Sequence, residues 1–365
     1  SVISLPDPRE RLARAVDSVW TDFLMNVDTI EILRYERKKT VVSKTLEGFS
    51  DEAVLAEILQ RKTGGAPGDS RSVKHAELEV LLSPGERLGQ DMPSTTFFAE
   101  VLPPARFAGT PEMGAVDRVL LVHRLREVTA AVGFTRFEPV APDVDGELEI
   151  GARRASLSRE ADWLPAVENR GAGIFLGFRK AAIADWLLRP GVQAREQRLD
   201  AGFQCWLAEH KASKRKFFGL PYLLLLSLAP MLITEVSLVC GYPASSIRER
   251  IYAGEGGYGI LLFTASPDAE GTLGGLIEVG RDIGRYVARA LEERGRLCSN
   301  DPVCAQHDPA NTHEQRYLLG AACHGCLLIA EPSCEQRNDY LDRALVVATV
   351  GDSDAAFFAG DEAAS

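Results

Sequence analysis

The sequence lacks the short motifs that mark several common classes of enzyme. A G-x4-G-K-[ST] loop that would hold nucleotide phosphates is absent, because the glycine-rich residues 64–68 are followed by Asp69 and not by lysine. The H-E-x-x-H motif of zinc proteases, the G-x-S-x-G motif of serine hydrolases and the H-x-K pair of phospholipase-like nucleases are also absent. We therefore expect a protein that does not hydrolyse ATP alone.

The sequence also shows no leader-like segment and no internal repeat. Its 41 lysines and arginines are outnumbered by 52 aspartates and glutamates, so the formal net charge at pH 7 is −11. This charge opposes attraction of the whole surface to a phosphate backbone, and any contact with nucleic acid must be local. We expect a cytoplasmic protein with no membrane attachment.

One uncharged run, GLPYLLLLSLAPMLIT at residues 219–234, has the composition of a membrane segment. It is shorter than the roughly 20 apolar residues that a membrane-spanning helix needs. Lys216 and Glu235 lie close to its two ends. The run therefore predicts a buried core helix.

The hydrophobic pattern predicts an α+β fold that is rich in helices. It divides the chain into a helical amino-terminal region over residues 1–110, a small mixed α/β region over 111–190 and a carboxy-terminal region over 191–365, for which the cysteines described below predict zinc binding. Apolar residues three and four apart predict helices at 8–27, 51–61, 116–130, 179–188, 193–210, 269–296 and 338–347. Short apolar runs rich in β-branched and aromatic residues predict strands at 96–102, 133–140, 173–178 and 260–264.

Five of the seven cysteines are concentrated near the carboxyl end, which indicates a local role for sulfur. They are Cys298, Cys304, Cys323, Cys326 and Cys334. Cys323 and Cys326 form a C-x2-C pair, the tight turn that lets two thiolates reach one tetrahedral ion. Two of the other three would complete a site for one structural zinc ion, and Cys298 is our first choice for the spare cysteine.

Other uses of these cysteines stay open. A disulfide framework needs an oxidising compartment, and the sequence carries no secretion signal. A thioredoxin-like thiol pair leaves three sulfurs without a role, whereas an iron–sulfur cluster would use the same four thiolates as zinc. Zinc is favoured because four-cysteine sites of irregular spacing are commonly structural zinc sites. His324 lies inside the C-x2-C turn and is expected to point outward.

A basic stretch beside aromatic residues, HKASKRKFF at residues 210–218, is the candidate for a nucleic-acid contact. Its cations are Lys211, Lys214, Arg215 and Lys216. Cationic side chains next to aromatic rings suit the backbone and bases of single-stranded DNA. A solvated loop before a buried helix is the plainer interpretation of the same residues.

A carboxylate group supplies an alternative function. Asp268, Glu270 and Asp282, with Glu255 nearby, could hold the ions of a metal-dependent nuclease or hydrolase. Acidic residues are also common at helix starts, where exposed amide groups and the helix dipole favour them. We therefore prefer the interpretation in which these carboxylates stabilise the start of a helix. The residues near Asp268 remain the ones to test for catalysis.

The predicted final helix carries one polar face. Its members are Arg337, Asn338, Asp339, Asp342 and Arg343. Opposite charges at helical spacing are typical of a solvent-exposed, ion-paired surface, which is the interpretation we prefer. In the alternative interpretation, Arg337 and Asn338 brace the metal-binding loops through backbone carbonyls.

The segment GAACHGCLLIAEPSCEQRNDYLDRALVV, residues 320–347, resembles the hallmark of the MrfA-type zinc-binding (MZB) domain. It resembles more closely the DrmB subunits of the DISARM anti-phage defence system. Four upstream segments support the resemblance: residues 124–137, 163–178, 241–252 and 257–275. Together they are spread over most of residues 115–350.

This resemblance implies a non-catalytic partner of a helicase-like ATPase, DrmA, with which such subunits form a DNA-binding complex that acts against phage DNA. A heterodimer with the ATPase, and contact with DNA that includes single-stranded DNA, are therefore expected. The resemblance implies zinc ligands at Cys304, Cys323, Cys326 and Cys334, with Cys298 at an additional cysteine position.

Overall fold

The protein was analysed as a computed structural model, which describes residues 1–5, 12, 15–62, 72–93, 95–131, 133–134, 163–211, 213, 215–264, 274–295 and 298–358. The chain divides into two compact units, one formed by Leu5–Arg71 and the other by Ser1–Ser4 with Ser72–Ser365. Residues 72–110 thus pack within the larger unit. The predicted domain boundaries at residues 110 and 190 stay predictions.

The smaller unit is helical in its described part. It contains α1 (Ile30–Glu36), α2 (Thr40–Thr45) and α3 (Asp51–Lys62), preceded by a π-helical turn at Trp20–Leu24. The helix predicted at 51–61 is confirmed, and the one predicted at 8–27 lies partly outside the described residues. The unit has its own apolar core, which includes Leu24, Leu33, Val42, Leu46, Val54 and Ile58.

The larger unit is built on a seven-stranded antiparallel sheet. Its strands are β1 (Val2–Ile3), β2 (Arg87–Gly89), β3 (Phe98–Val101), β4 (Val116–Ala130), β5 (Ala166–Phe178), β6 (Ile247–Gly254) and β7 (Gly257–Thr264). Their order is β2-β3-β4-β5-β7-β6, and β1 also pairs with β4. The strands predicted at 96–102, 173–178 and 260–264 are confirmed, whereas most of 133–140 lies outside the described residues.

Residues 116–130 form strand β4 and not the predicted helix. Their short apolar run, residues 119–122, fits either a buried strand or a buried helix by periodicity alone. Pairing with β5 from Val116 to Ala130 decides for the strand. On β5, a Cβ atom at Gly171 would lie 1.8 Å from the carbonyl oxygen of Thr264, so the close approach of β5 and β7 requires glycine there.

Helices accompany the sheet, which makes the fold α+β, as predicted. They are α4 (Val73–Leu81), α5 (Lys180–Leu187), α6 (Pro190–Glu209), α7 (Leu220–Cys240), α8 (Gly274–Arg281), α9 (Ile283–Arg289) and α10 (Arg343–Val346). The helices predicted at 179–188 and 193–210 are confirmed as α5 and α6. The described part of 274–295 is divided into α8, α9 and a π-helical segment, Ala290–Gly295, where a single helix was predicted.

Helix α7 is the core helix of the larger unit, as its apolar run predicts. Nearly all of its residues from Leu220 to Val236 are buried, and it packs against β6 and β7. Of the described residues, this helix alone has the length and composition to cross a membrane, with a mean hydropathy of 2.1. Within the protein 72% of its most apolar 18-residue segment is buried, so packing in the core explains its apolar composition.

Residues 298–342 follow the helices as turns and loops with little regular structure. The helix predicted at 338–347 shrinks to α10, because Arg337, Asn338 and Tyr340 have φ values of 54°, 71° and 63°. These left-handed conformations cannot continue a right-handed helix. Residues 298–342 therefore form a looped segment whose shape depends on side-chain contacts. The clustered cysteines lie in this segment.

Candidate metal centre

Four of the five clustered cysteines meet in space. The sulfur atoms of Cys298, Cys304, Cys323 and Cys326 all lie within 4.8 Å of one another. The Sγ–Sγ distances are 3.4 Å between Cys298 and Cys323, 3.8 Å between Cys304 and Cys326, and 3.7 Å between Cys323 and Cys326. Zinc bound tetrahedrally at about 2.3 Å from each sulfur would separate the sulfurs by about 3.8 Å. The four side chains therefore fit a tetrathiolate site for one zinc ion.

Backbone amide groups around the C-x2-C turn point at its sulfurs. The N–H of Cys323 donates to Cys326 Sγ at 3.3 Å, and the N–H of Gly325 donates to Cys323 Sγ at 3.3 Å. The side-chain amide of Asn300 also donates to Cys323 Sγ, at 3.2 Å. Hydrogen bonds to a sulfur stabilise its thiolate form, which is the form that ligates metal. The turn is thus arranged for negatively charged sulfur.

The thiols differ in acidity because they hydrogen-bond to one another. A hydrogen bond from Cys304 is the main reason why the pKa of Cys326 falls to about 6, and the charge of Arg343 contributes. The same contact raises the pKa of Cys304, and burial raises the pKa of Cys298 to about 11. Ligation needs all four thiolates, so a metal ion displaces the remaining thiol protons and binds more tightly as pH rises.

Cys334 does not join the four. It is buried, and burial together with the nearby charge of Glu249 raises its pKa well above the usual range. Its thiol hydrogen-bonds with Glu249, a residue of β6 that is remote in sequence from the other cysteines. Our choice of Cys298 as the spare cysteine is corrected: Cys298 belongs to the sulfur group and Cys334 is the fifth cysteine. The spacing of the cysteines in the sequence alone did not reveal which loop brings its cysteine back to the C-x2-C turn.

The histidines among the cysteines also lie apart from the sulfur group. Among the described residues, the side chains that could hold a metal together are all cysteines, and no histidine belongs to this group. His307 is buried and hydrogen-bonds through Nδ1 to Glu314 at 2.7 Å and through Nε2 to the carbonyl of Arg316 at 3.2 Å. His324 is exposed, as expected for a residue inside the turn.

The predicted polar face of the final helix is only partly exposed. Asp342 and Arg343 are completely buried, so the expectation of a solvent-exposed face is wrong for these two residues. Asn338 fits the alternative interpretation as a brace. Its side chain donates to the carbonyl oxygen of Ile329 at 2.8 Å and accepts from the N–H of Ile329 at 3.1 Å. Ile329 follows Cys326 by three residues, so this contact holds the metal-binding turn.

The basic stretch lies at the end of α6. Lys211 and Lys216 are exposed, and Lys214 lies outside the described residues. Arg215 pairs with Asp339 at 3.0 Å and lies over the rings of Trp206 and Tyr340, each at 5.4 Å from the ring centre. Arg215 is therefore already engaged within the protein, whereas the two lysines point to solvent.

A stacked ring pair comes directly before Lys211 in the chain, and it was not among the site residues predicted from the sequence. Trp206 and His210 stack with 4.2 Å between ring centres and 10° between planes, and His210 is exposed. Their separation of four residues at the end of α6, where His210 directly follows the helix, is the sequence signal that could have revealed the pair.

The carboxylates of the alternative function are not assembled in the part of the chain that the structure describes. Asp268 and Glu270 lie outside that part. Glu255 accepts from Lys180 through its backbone carbonyl at 2.7 Å, and Asp282 stands at the start of α9. Neither belongs to the cysteine group.

Comparisons with known proteins agree with this geometry. Residues 228–327 match the family model of the MrfA Zn-binding domain, a range that holds all four clustered cysteines and ends before Cys334. DISARM protein DrmB of Bacillus paralicheniformis is 37% identical over 251 residues, which are 67% of this chain and 43% of the relative. The chain spans less than half of the length of that curated relative. Residues 228–327 are therefore an MrfA Zn-binding domain, in a chain that is homologous to DISARM protein DrmB.

Proposed function

We propose that this protein is a zinc-stabilised, non-catalytic subunit of a DISARM anti-phage defence complex in the cytoplasm. The homology to DrmB and the MrfA Zn-binding domain support the assignment to DISARM. The proposal that zinc stabilises the protein rests on the group of four cysteines whose sulfurs fit one tetrahedral ion.

The zinc in this proposal has a structural role. Catalytic zinc sites keep a coordination position for water or substrate, whereas four protein thiolates fill all positions of a tetrahedral ion. The four cysteines come from two separate loops of a segment with little regular structure, one with Cys298 and Cys304 and one with Cys323 and Cys326. Binding the ion adds its affinity to the stability of these loops, so zinc would supply folding energy to the carboxy-terminal region.

The partner in this proposal is the helicase-like ATPase DrmA. The absence of a phosphate-binding loop from this sequence supports a division of labour in which the other subunit hydrolyses ATP. The zinc-stabilised region would then serve as a platform for assembly with that subunit and with DNA.

The proposed DNA contact is the end of α6. Lys211 and Lys216 offer exposed positive charge in a chain whose net charge is −11, and the exposed residue His210 directly precedes Lys211. Positive charge that follows the backbone and rings on which bases stack are the two elements of single-stranded nucleic-acid binding. Lys214 and Arg215 belong to the same proposed contact, with Arg215 supporting the ring of Trp206.

Co-expression with the ATPase subunit tests this proposal. We expect the two chains to purify as a heterodimer, and a Cys326→Ser variant to lose both its zinc and its association with the ATPase. A Cys205→Ser variant is the matched control, because Cys205 lies on α6, outside the sulfur group. Separate elution of the unmodified chains, or DNA cleavage by this chain alone that disappears in Asp268→Ala, would contradict the proposal.

A further inference from the structure

Two buried charged residues adjoin the candidate metal centre without being ligands. Arg343 donates from Nη2 to both carboxylate oxygens of Asp301, each at 2.7 Å. Asp301 lies three residues after Cys298 and three before Cys304, and its Oδ1 also accepts from the N–H of Ala305 at 3.2 Å. Arg343 is therefore attached to the middle of the loop that carries two of the four sulfurs.

The preceding residue, Asp342, is attached to the other half of the centre. Its Oδ1 accepts from the N–H of Ala321 at 2.9 Å, two residues before Cys323. Arg195 of α6 donates to both of its oxygens, at 2.7 and 2.8 Å, and both side chains are completely buried. A Cβ atom at Gly320 would lie 2.3 Å from Asp342 Cγ, so this approach of the loop requires glycine.

The dipeptide Asp342–Arg343 thus connects each sulfur-bearing loop to the helical core. The N–H of Asp342 donates to Ser227 Oγ of α7 at 2.8 Å, which fixes the dipeptide on the core helix. The Arg343 guanidinium also interacts electrostatically with Cys326 and Cys298. Four thiolates and one divalent ion carry a formal charge of −2, and a cation fixed beside them stabilises that charge.

Global stability alone is a weak explanation for these contacts. Taking charged side chains out of water costs free energy that ion pairs often do not recover, and apolar residues of similar size can serve a core equally well. Hydrogen-bonded charged pairs do fix the orientation of the groups that they join. Here those groups are the loops that bring the four sulfurs together.

We propose that Arg343, acting through Asp301, is a positioning residue for the metal centre, which holds the loop of Cys298 and Cys304 against the C-x2-C turn and slows the loss of the ion. Asp342 anchors the C-x2-C turn to α6 and α7 in the same way. This inference rests on the structural zinc ion of the proposed function. It adds the residues that keep this ion bound.

Zinc loss from the full-length protein to excess 4-(2-pyridylazo)resorcinol, followed by absorbance, tests this proposal. Mutation of residues that orient metal ligands typically weakens metal affinity by about 10- to 100-fold. We expect Asp301→Asn and Arg343→Met to weaken zinc affinity by about that factor and to accelerate zinc loss. Arg343→Lys keeps the positive charge and a nitrogen donor, so it should recover part of the retention.

A Glu77→Gln variant is the matched control. It breaks another buried pair, in which Arg250 donates to Glu77 at 2.6 and 2.9 Å, and none of these hydrogen bonds involves the four cysteines. We expect it to lower the midpoint of unfolding without changing zinc loss. Substitution of zinc by Co²⁺ should give the same sulfur-to-cobalt absorption in wild type and in Asp301→Asn, because the ligands are unchanged.

Two results would overturn the inference. Zinc loss from Asp301→Asn at the wild-type rate would show that the pair does not position the centre. Equal acceleration in Glu77→Gln would show that any buried pair has the same effect through stability. A wild-type protein without zinc would refute the proposed function as well, so the failure of the two proposals can be told apart.

Discussion

The five clustered cysteines occupy two chemical environments. Cys298 meets Cys323 at 3.4 Å, whereas Cys334 is buried beside Glu249. We expect Cys298→Ser to lose most of its zinc and Cys334→Ser to keep one ion per chain, as measured by mass spectrometry of the metal in purified protein. Zinc retained by Cys298→Ser and lost by Cys334→Ser would contradict this assignment.

Glu249 gives the fold a dependence on pH. Burial raises its pKa to about 8 from an ordinary value near 4.5, so the folded chain binds a proton that the unfolded chain releases between these values. Stability from this group is therefore present below about pH 4.5 and is lost as pH rises toward 8. We expect Glu249→Gln to lose less stability than wild type between pH 5 and 8 in urea unfolding. An identical loss in both proteins would contradict the assignment.

At the residue scale, the sequence predicted the chemistry better than the geometry. A local excess of cysteine with a C-x2-C pair was enough to predict a metal site. It did not tell which of Cys298 and Cys334 returns to the pair, since loop paths depend on distant contacts such as Arg343 with Asp301. Charged residues are usually exposed, so the burial of Asp342 and Arg343 left no signal in the sequence pattern.

Among the elements, α6 is attached to the carboxy-terminal loops by a buried ion pair. Arg195 and Asp342 are both fully buried. Removing one partner of a buried pair leaves an uncompensated charge and typically costs about 3–5 kcal/mol. We expect Arg195→Met to lower the free energy of unfolding in urea by that amount.

The control for this change is Arg170→Met, which removes one of the exposed ion pairs of Glu168. Exposed ion pairs contribute at most about 1 kcal/mol, so this variant should unfold close to wild type. Equal effects of the two substitutions would contradict the role assigned to Arg195.

The end of α6 carries the proposed contact with DNA. We expect a Lys211→Glu, Lys216→Glu variant of the complex to bind single-stranded DNA more weakly. The slope of log affinity against log salt should become shallower by about 0.7 for each phosphate that the variant no longer neutralises. Lys38→Glu with Lys44→Glu makes the same charge change at exposed positions of the smaller unit and should have little effect. Equal weakening by the two variants would contradict a local contact.

Elements were predictable where local pattern and tertiary packing agree. The apolar run of α7 and the periodicity of α6 identified both helices. Residues 116–130 were misjudged because pairing with β5 overrode an ambiguous pattern. The final helix was overestimated because two of its left-handed residues, Arg337 and Tyr340, are of types that rarely adopt this conformation, so little in the sequence indicated the turn.

For the whole molecule, one zinc ion would join two loops with little regular structure, and buried charged residues attach these loops to the helical and sheet core. The fold class followed from the hydrophobic pattern, and the zinc-binding character followed from the cysteine spacing and from a family resemblance. The attachment of the loops through Asp342 and Arg343 required coordinates, because it joins residues that are far apart in sequence.

X-ray absorption at the zinc edge of the purified full-length protein, combined with its metal content, tests the central claim most directly. We expect one zinc ion per chain with four sulfur neighbours at about 2.3 Å. A protein without bound zinc, or a zinc ion with nitrogen or oxygen neighbours in place of the four sulfurs, would contradict it.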